Sequence, residues 1–280
     1  MLMLLSPAKS LDFERPSPKL DLTSPVLEAE AAVLAACLRK MSTRELSQLM
    51  DLSDALASLN VERFAQWEVG VRTTPEARHA LLAFDGDVYA GLQADTLKTA
   101  ALKWAQDHAF ILSGLYGFLR PLDALQPYRL EMGTRLKTAR GGDLYEFWGH
   151  RVTNAINEQL RSLAKKREPS VLLNLASQEY AKVVRAKPGA PKAHDPGGPG
   201  LQAEQLISPV FEDEQATGGY KVVSFFAKRA RGLMARFVIE NRILRPEVLT
   251  EFESEGYQWV REASRPNQPV FRRKRAAQAA

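Results

Sequence analysis

The sequence is poor in the features that stabilise secreted proteins and anchor membrane proteins. It has one cysteine in 280 residues, Cys37, which excludes an internal disulfide bond and indicates a reducing compartment. Its N-terminal apolar run covers only residues 1–5, which is too short for a signal peptide or a membrane span. We therefore expect a cytoplasmic, soluble protein that does not interact with a membrane.

Residue patterns that hold metals and cofactors are also missing. The four histidines are scattered along the chain, and no Cys-x-x-Cys or His-Glu-x-x-His spacing occurs. No complete Walker or dinucleotide-binding glycine pattern is present. These absences predict a protein without a dedicated metal site or cofactor.

The composition is that of an ordinary globular protein with a small excess of positive charge. Hydrophobic residues make up 45% and charged residues 25%, which argues against disorder and against a coiled-coil rod. The 38 Lys and Arg residues outnumber the 33 Asp and Glu residues, so the net charge is +5. This excess permits nucleic-acid binding without requiring it.

Short apolar runs alternate with helical patterns along the chain. Residues 1–5, 110–112 and 171–175 are mainly apolar and end in turn residues, as buried strands do. Helical patterns, such as the one over residues 144–163, separate them. We predict a single compact α/β domain over residues 1–280, with a mixed sheet surrounded by helices.

An N-terminal helix pair is predicted over residues 42–67. Ser42 and Glu45 form a capping-box pattern, and the chain breaks at residues 51–54 before a second helical pattern. The outline resembles a helix-hairpin-helix, whose second helix can offer backbone N–H groups to a phosphate. The candidates for contacts of this unit are Ser53, Asn60 and Arg63. Because the hairpin has two aspartates and no glycine, an ordinary αα-hairpin is the alternative.

Two segments lack a helix or strand pattern. Residues 187–202 are rich in proline and glycine, which predicts a flexible loop inserted into the domain, without a functional role. Residues 272–280 are basic and then alanine-rich, and we expect this C-terminal tail to fray.

Positive charge is concentrated between residues 221 and 245. Seven basic residues and one acidic residue, Glu240, occur there. On a helix over residues 228–242, the basic side chains share one side and apolar side chains share the other. The cations on this predicted face are Lys228, Arg229, Arg231, Arg236 and Arg242. Such a face could bind several DNA phosphates, or it could be a solvated helix face.

A second basic stretch covers residues 120–140 and contains aromatic residues. Arginine and aromatic side chains together suit phosphates and stacked bases. The DNA-binding candidates here are Arg120 and Arg129, to which we add Lys9 after the first predicted strand. The alternative is that the two arginines pair with the acidic residues of the same stretch and brace a loop.

Several polar residues follow apolar runs, where the sites of α/β proteins gather. The candidates for catalysis are Lys9, Asp85, Asp87, Glu131, Glu179 and Lys228. Two carboxylates around a turn glycine could act as acid and base, and a lysine could form a Schiff base. Solvated turn residues are the alternative. Convergence of these side chains in one pocket would favour a DNA glycosylase or lyase, and scatter would argue against it.

Several motifs, in order along nearly the whole chain, resemble the YaaA family of bacterial peroxide-stress proteins. They read LSPAKSLD at residues 5–12, FDGDVYAGL at 84–92, LSGLYGFLRPLD at 112–123, PYRLEMG at 127–133 and ARGLMARF at 230–237. Several blocks in order are far more specific than any single block.

This resemblance implies a cytoplasmic protein of mixed α/β fold, with a helix-hairpin-helix and a positively charged cleft that binds duplex DNA. It also implies a role in peroxide stress, in which the protein limits unincorporated iron and so limits Fenton damage to DNA and protein. We expect duplex DNA, bound with little sequence preference, as the partner, and no obligate protein partner. The resemblance implies no catalytic residue, and an enzyme that processes DNA lesions remains the alternative hypothesis.

Overall fold

Strands and helices alternate along the chain. A computed structural model describes residues 1–73, 75–190 and 194–275. The strands are β1 (Leu2–Leu5), β2 (Ser10–Leu11), β3 (Arg78–His79), β4 (Phe84–Asp85), β5 (Ala109–Ser113), β6 (Gly117–Leu119), β7 (Ala124–Leu125), β8 (Val171–Leu175), β9 (Gln205–Ile207), β10 (Val210–Glu214), β11 (Tyr220–Lys221), β12 (Tyr257–Trp259) and β13 (Val270–Arg273). The α-helices are α1 (Glu28–Leu38), α2 (Thr43–Met50), α3 (Asp54–Gln66), α4 (Ala80–Ala83), α5 (Asp87–Leu92), α6 (Thr99–His108), α7 (Leu144–Trp148), α8 (Arg151–Lys165), α9 (Gln178–Ala181) and α10 (Ser224–Asn241). Short 3-10 helices cover Ala94–Thr96, Pro246–Glu251, Ser254–Gly256 and Arg261–Ala263.

The main sheet has five strands in the order β6-β5-β1-β8-β9. β1 lies at its centre and pairs in parallel with β5 and β8. β9 continues the parallel arrangement, and β6 is antiparallel at the opposite edge. All residues of β1 are apolar and buried, because a central parallel strand is covered on both faces. The predicted mixed sheet of an α/β protein is confirmed.

A second, smaller sheet has the strand order β11-β10-β13-β12. Its core is a cluster of aromatic rings, in which Phe211 contacts Phe252, Tyr257 and Phe271. α10 contacts this sheet at β10 and the main sheet at β8. The two sheets share one hydrophobic core, which confirms the predicted single α/β domain.

β13 includes Arg272 and Arg273, which the sequence analysis assigned to a frayed tail. Arg272 Nε donates to Glu212 at 2.8 Å, and Arg273 Nε donates to Asp213 at 2.7 Å. Both acceptors lie on β10, the neighbouring strand. These two arginines therefore belong to the sheet and not to the tail, because carboxylates across the strand pair compensate their charges. Residues 276–280 of the predicted tail lie outside the described residues.

The proline- and glycine-rich segment 187–202 forms neither helix nor strand in its described residues. Gly189 and Gly198 exchange two backbone hydrogen bonds of 2.9 Å. The Gly200 carbonyl accepts a hydrogen bond of 2.6 Å from a side chain of α8. The described parts of the segment are thus tied to each other and to α8. Residues 191–193 of the predicted flexible loop lie outside the described residues.

The predicted helix pair is present as α2 and α3, which pack against each other. Ser42 and Glu45 form the predicted capping box at the start of α2. Ser53 caps α3. Between the helices, Asp51 has a left-handed backbone φ of 51°, which aspartate tolerates better than most residues do. The sequence therefore predicted this helical hairpin and its turn correctly.

Candidate functional site

A cleft of about 370 Å³ opens at the carboxyl edge of the main sheet. Its lining residues are Ser6, Pro7, Ala8, Lys9, Ser10, Asp85, Gly86, Asp87, Val88, Tyr89, Glu131, Ser177, Glu179, Tyr180, Lys228 and Arg231. The segments after β1 and β8 both contribute, because neighbouring parallel strands end at the same edge of a sheet. All six catalytic candidates from the sequence line this cleft. A larger groove of about 500 Å³, beside Pro246 and Trp259, contains none of them.

Hydrogen bonds of Ser6 connect the segment after β1 to the segment after β8 and to α5 at one wall of the cleft. The backbone N–H of Ser177 donates to Ser6 Oγ at 2.8 Å. The Tyr89 hydroxyl donates to the Ser6 carbonyl at 2.9 Å. Because Ser6 Oγ accepts the backbone hydrogen bond, its own hydroxyl hydrogen can be donated to a ligand.

Three buried tyrosines provide neutral hydrogen-bonding groups at the cleft. Tyr89 and Tyr180 line it, and Tyr128 interacts electrostatically with both. Burial is the main cause that raises the pKa of all three phenols. At neutral pH they are therefore uncharged and can donate hydrogen bonds. Tyr128 also lies 2.6 Å from Ser113 Oγ.

Asp85 and Asp87 flank Gly86 at the start of α5. The pairing of β2 with β4 places Asp85 opposite Ser10, beside the segment that follows β1. The Arg15 guanidinium lies 2.6 Å from the Asp85 carboxylate. Asp87 makes no hydrogen bond through its side chain to any described residue. The charge of Asp85 is therefore compensated inside the protein, whereas Asp87 can accept from a ligand.

Glu131 joins two basic residues at the rim of the cleft. Lys9 Nζ lies 3.2 Å from its Oε1, and the Arg129 guanidinium lies 2.8 Å from the same atom. Arg129 also donates to the Lys9 carbonyl at 3.4 Å. The Lys9 side chain is 68% exposed, so it remains accessible to a partner. Arg129 braces the loop, as the alternative interpretation of this stretch predicted.

Glu179 ties the turn after β8 to the loop that carries Glu131. Its Oε1 accepts a hydrogen bond of 2.9 Å from the Gly133 backbone N–H. Its backbone carbonyl accepts a hydrogen bond of 2.9 Å from the Tyr145 hydroxyl. The Glu179 carboxylate has no cationic partner among the described residues and keeps acceptor capacity toward the cleft.

Arg120 does not line the cleft. Its guanidinium lies 2.9 Å from Asp123 Oδ1 and also donates to the Ser24 carbonyl at 3.1 Å. Burial raises the pKa of the Asp123 carboxyl, and the charge of Arg120 opposes this shift. Arg120 therefore compensates a buried carboxylate and braces its loop, which is again the alternative that the sequence left open.

A close crossing of α10 over α5 brings two basic residues to the cleft. A Cβ atom on Gly232 would overlap the Val88 carbonyl oxygen, and one on Gly91 would overlap the Arg229 carbonyl oxygen. Only glycine permits so close an approach of two backbones. This contact explains the glycines within two of the motifs that the sequence analysis singled out.

The five basic residues predicted to share one face of α10 lie in different surroundings. Lys228 and Arg231 line the cleft. Arg242 follows the end of the helix, with a left-handed φ of 50°. The other two, Arg229 and Arg236, are held by groups of the protein. The helical pattern could not separate these cases, because α10 contacts both α5 and β10 instead of presenting one open side.

Arg229 and Arg236 are compensated within the protein. The Arg229 guanidinium lies 2.5 Å from Glu255 Oε1. The Arg236 guanidinium lies 2.6 Å from Glu240 Oε1 and donates to Thr96 Oγ1 at 2.7 Å. Because a carboxylate compensates the charge of each guanidinium, we do not place either arginine in the candidate site.

The helix pair places its three candidates away from the cleft. Ser53 Oγ accepts from the Leu56 N–H at 3.5 Å and serves as a helix cap. Asn60 is 1% exposed and donates to the Leu56 carbonyl at 2.7 Å, so its side chain is not accessible to DNA. Arg63 is half-buried; burial first, and then repulsion from Arg129, lower its pKa. The Arg63 side chain has no hydrogen-bond or ion-pair partner in the described part of the chain.

Sequence reasoning missed Arg15, Tyr89 and Tyr180 as parts of this site. Arg15 lies in a proline-rich connector and reaches Asp85 across 70 positions, a distance at which spacing carries no signal. The two tyrosines were detectable, since Tyr89 lies within the FDGDVYAGL block and Tyr180 directly follows Glu179. Both tyrosines are close in the sequence to candidate acids. A large side chain that is buried beside a polar turn often forms part of a cleft wall.

The described ranges contain neither a cluster of metal ligands nor a membrane-spanning helix. No group of three or more His, Cys, Asp or Glu side chains in them is arranged to hold a metal ion. No helix in those ranges has both the length and the apolar character that a membrane crossing requires.

Comparisons with known proteins agree with the motif blocks. A family model described as peroxide stress protein YaaA matches residues 1–263. A UPF0246 protein of Burkholderia lata is 50% identical over 274 residues, which cover 98% of this chain and 99% of that protein. A UPF0246 protein of Paraburkholderia phytofirmans is 50% identical, with the same coverage of both chains. One of Albidiferax ferrireducens is 49% identical over 98% of each chain. The chain therefore belongs to the peroxide stress protein YaaA family.

Proposed function

We propose that this protein acts in the peroxide stress response by binding duplex DNA, with the cleft facing the DNA backbone. The observation that carries the proposal is a pair of exposed lysines, Lys9 and Lys228, that line one cleft. Lys228 has no carboxylate partner among the described residues. Exposed ammonium groups on flexible stems suit phosphate oxygens, which all DNA sequences share.

Three basic residues, Arg63, Arg129 and Lys9, connect the helix pair to the cleft, and Glu131 contacts the last two of them. Arg63 on α3 interacts electrostatically with Arg129, and Arg129 donates to the backbone of Lys9. We propose that one DNA strand passes along these three residues, with Arg63 as a phosphate contact from the helix pair. This role for the helix pair differs from phosphate binding by the hairpin turn, where Asp51 and Asp54 would repel the phosphate.

Salt dependence tests this proposal. The double variant Lys9→Gln/Lys228→Gln should bind a blunt duplex more weakly than the wild type does. Each phosphate contact adds about one to the magnitude of the slope of log K against log salt concentration. The loss of two contacts should therefore reduce that magnitude by about two. Fluorescence anisotropy over a salt series, with two unrelated duplex sequences, measures both quantities.

A charge-matched control uses two exposed residues of α8. Arg161→Gln/Lys165→Gln removes the same charge away from the cleft and should leave affinity and slope nearly unchanged. Equal losses in both double variants, or a wild-type affinity that does not respond to salt, would contradict the proposal.

We further propose that the effect on iron and Fenton damage, which the family resemblance implies, acts through DNA and not through chelation. Protein bound along the backbone shields the duplex from radicals formed nearby. In a duplex-nicking assay with ferrous iron and hydrogen peroxide, the wild type should protect DNA and Lys9→Gln/Lys228→Gln should not. Equal protection by both proteins would indicate that iron removal, and not DNA binding, is responsible.

A DNA lyase or glycosylase is the second candidate, and the convergence of the six catalytic candidates in one cleft favours it. After its proton passes to Glu131, the Lys9 amine could add to the C1′ aldehyde of an abasic sugar and release water to form an imine. Borohydride reduces such an imine to a stable secondary amine. A trapped adduct on abasic duplex that Lys9→Gln abolishes and Lys165→Gln retains would establish this activity. Intact strands without an adduct would leave DNA binding as the function.

A further inference from the structure

Arg231 is a half-buried cation without a counter-charge among the described residues. Arg231 lines the cleft, and burial lowers the pKa of its guanidinium. Its side chain forms no hydrogen bond or ion pair with any described residue. Withdrawing an ion from water without a partner is costly, so such a group is stable only where another anion or water reaches it.

The other arginines of α10 show that the missing partner is specific to Arg231. Arg229 and Arg236, on the same helix, have Glu255 and Glu240 within 2.6 Å. Arg231 instead lines the cleft together with Lys228, which also lacks a carboxylate partner in the described ranges. A planar guanidinium next to a mobile ammonium is a suitable pair for a phosphate group.

The rest of the cleft limits what can accompany that phosphate. Asp87 and Glu179 retain acceptor capacity, and they would repel a second anionic group close to them. They instead suit the amino, imino or hydroxyl donors of a ligand. The volume of about 370 Å³ is at the lower end of the range for small-molecule pockets, roughly 300–1,000 Å³, and is far too small for a duplex.

We propose that the cleft binds a single nucleotide, with its phosphate at Arg231 and Lys228 and its sugar or base donors at Asp87 and Glu179. The nucleotide is either free in solution or turned out of a DNA strand, and both sources present the same chemistry. The inference rests on the proposed DNA binding only in the second case. It assigns to Arg231 a role separate from the contacts that hold a paired duplex.

Two probes test the inference against the variant Arg231→Gln. The first is isothermal titration with the four 2′-deoxynucleoside 5′-monophosphates and their unphosphorylated nucleosides. The second is a duplex that carries one unpaired nucleotide. For at least one probe, wild-type affinity should exceed that of Arg231→Gln by about tenfold or more, since charge-assisted hydrogen bonds to phosphate are lost. Arg161→Gln, an exposed charge-matched control, should behave as the wild type does.

The pattern of losses identifies the source of the nucleotide. A loss confined to the free monophosphates, with nucleosides bound weakly by both proteins, identifies a free nucleotide. A loss confined to the duplex with the unpaired nucleotide identifies a nucleotide of DNA. If Arg231→Gln and the wild type bind both probes equally, or if neither probe binds, the inference is overturned.

A fully paired duplex separates this inference from the proposed function. Its affinity should be similar for the wild type and Arg231→Gln, because it makes no use of the cleft interior. If it does not bind while monophosphate binding depends on Arg231, DNA binding fails and the nucleotide site stands. Thermal unfolding of Arg231→Gln should show a folded protein, since the substitution removes an uncompensated charge.

Discussion

Arg273 in the second sheet and Arg231 in the cleft differ in how their charges are compensated: Arg273 is buried beside a carboxylate, whereas Arg231 is half-buried without one among the described residues. Arg273 is 4% exposed, and its Nε lies 2.7 Å from Asp213, which is fully buried. The rings of Phe226 and Tyr257 lie 4.4 and 4.7 Å from its guanidinium carbon. Arg231 has none of these partners. A cation that the fold compensates stabilises the fold, whereas one left uncompensated in a cleft is available to a ligand.

A third basic residue, His79, is buried without a counter-charge because its imidazole is neutral. His79 is 3% exposed, and its Nε2 hydrogen bonds to the Leu20 carbonyl at 3.0 Å. Its Nδ1 is buried without a partner within the described residues. Burial lowers the pKa of His79 below its ordinary value of 6.5, so the neutral form predominates at neutral pH.

The largest effect should separate the two arginines directly. Arg273→Gln leaves the buried Asp213 carboxylate unpaired and should lower the free energy of unfolding by about 3–5 kcal/mol. Arg231→Gln removes an unpaired charge and should be neutral or stabilising. Urea unfolding of both variants measures the difference. Similar losses would show that Arg231 is compensated after all.

A double variant controls for the shape of the Arg273 side chain. Asp213→Asn/Arg273→Gln removes both charges and should be more stable than Arg273→Gln alone, because no buried charge remains unpaired. If the double variant is no better, the loss comes from packing against Phe226 and Tyr257 and not from charge.

A smaller effect is expected at the crossing that positions Arg231. Gly232→Ala places a Cβ against the Val88 carbonyl oxygen and should force α10 away from α5, at about 1–3 kcal/mol of unfolding free energy. Nucleotide binding at Arg231 should weaken as well, since the helix carries that side chain. Gly142→Ala is the control, because its nearest neighbour would be 3.7 Å away. Equal stability of the two variants would contradict the close crossing.

The smallest effect should appear as a pH dependence at His79. Because its folded pKa is lower than the unfolded value of 6.5, its contribution to stability is complete above pH 6.5 and is lost as the pH falls below that value. The slope should reach at most about 1.4 kcal/mol per pH unit. Urea unfolding of the wild type and His79→Gln at pH 7.5, 6.5 and 5.5 isolates it. A constant difference between the two proteins would rule out this titration.

Local pattern was sufficient for much of the fold. The apolar run of β1 and the capping box at Ser42 were both found where the sequence placed them. The long helix predicted over residues 144–163 is instead two helices, α7 and α8, which meet at Gly149. There φ is +51°, and a Cβ would overlap the Asp195 carboxylate. That break depends on a contact with a distant residue, so helical periodicity could not predict it.

The candidate site was predictable in its residue types but not in its electrostatics. The sequence identified six polar candidates because they follow predicted strands, and all six line one cleft in the structure. Nothing local distinguishes Arg231, which is unpaired, from Arg229, two positions earlier and paired with Glu255. The partner of Arg229 lies 26 positions away in the sequence, beyond the reach of local pattern.

The sequence by itself determined the α/β class, the helical hairpin, the family and the set of polar residues at strand ends. These depend on neighbours within a few positions, on periodicity and on motif blocks, all of which can be read directly from the sequence. Only the tertiary structure decided which cations are compensated, because ion pairs such as Asp213 with Arg273 join residues 60 positions apart. Charge compensation depends on distance in space, and the fold alone sets that distance.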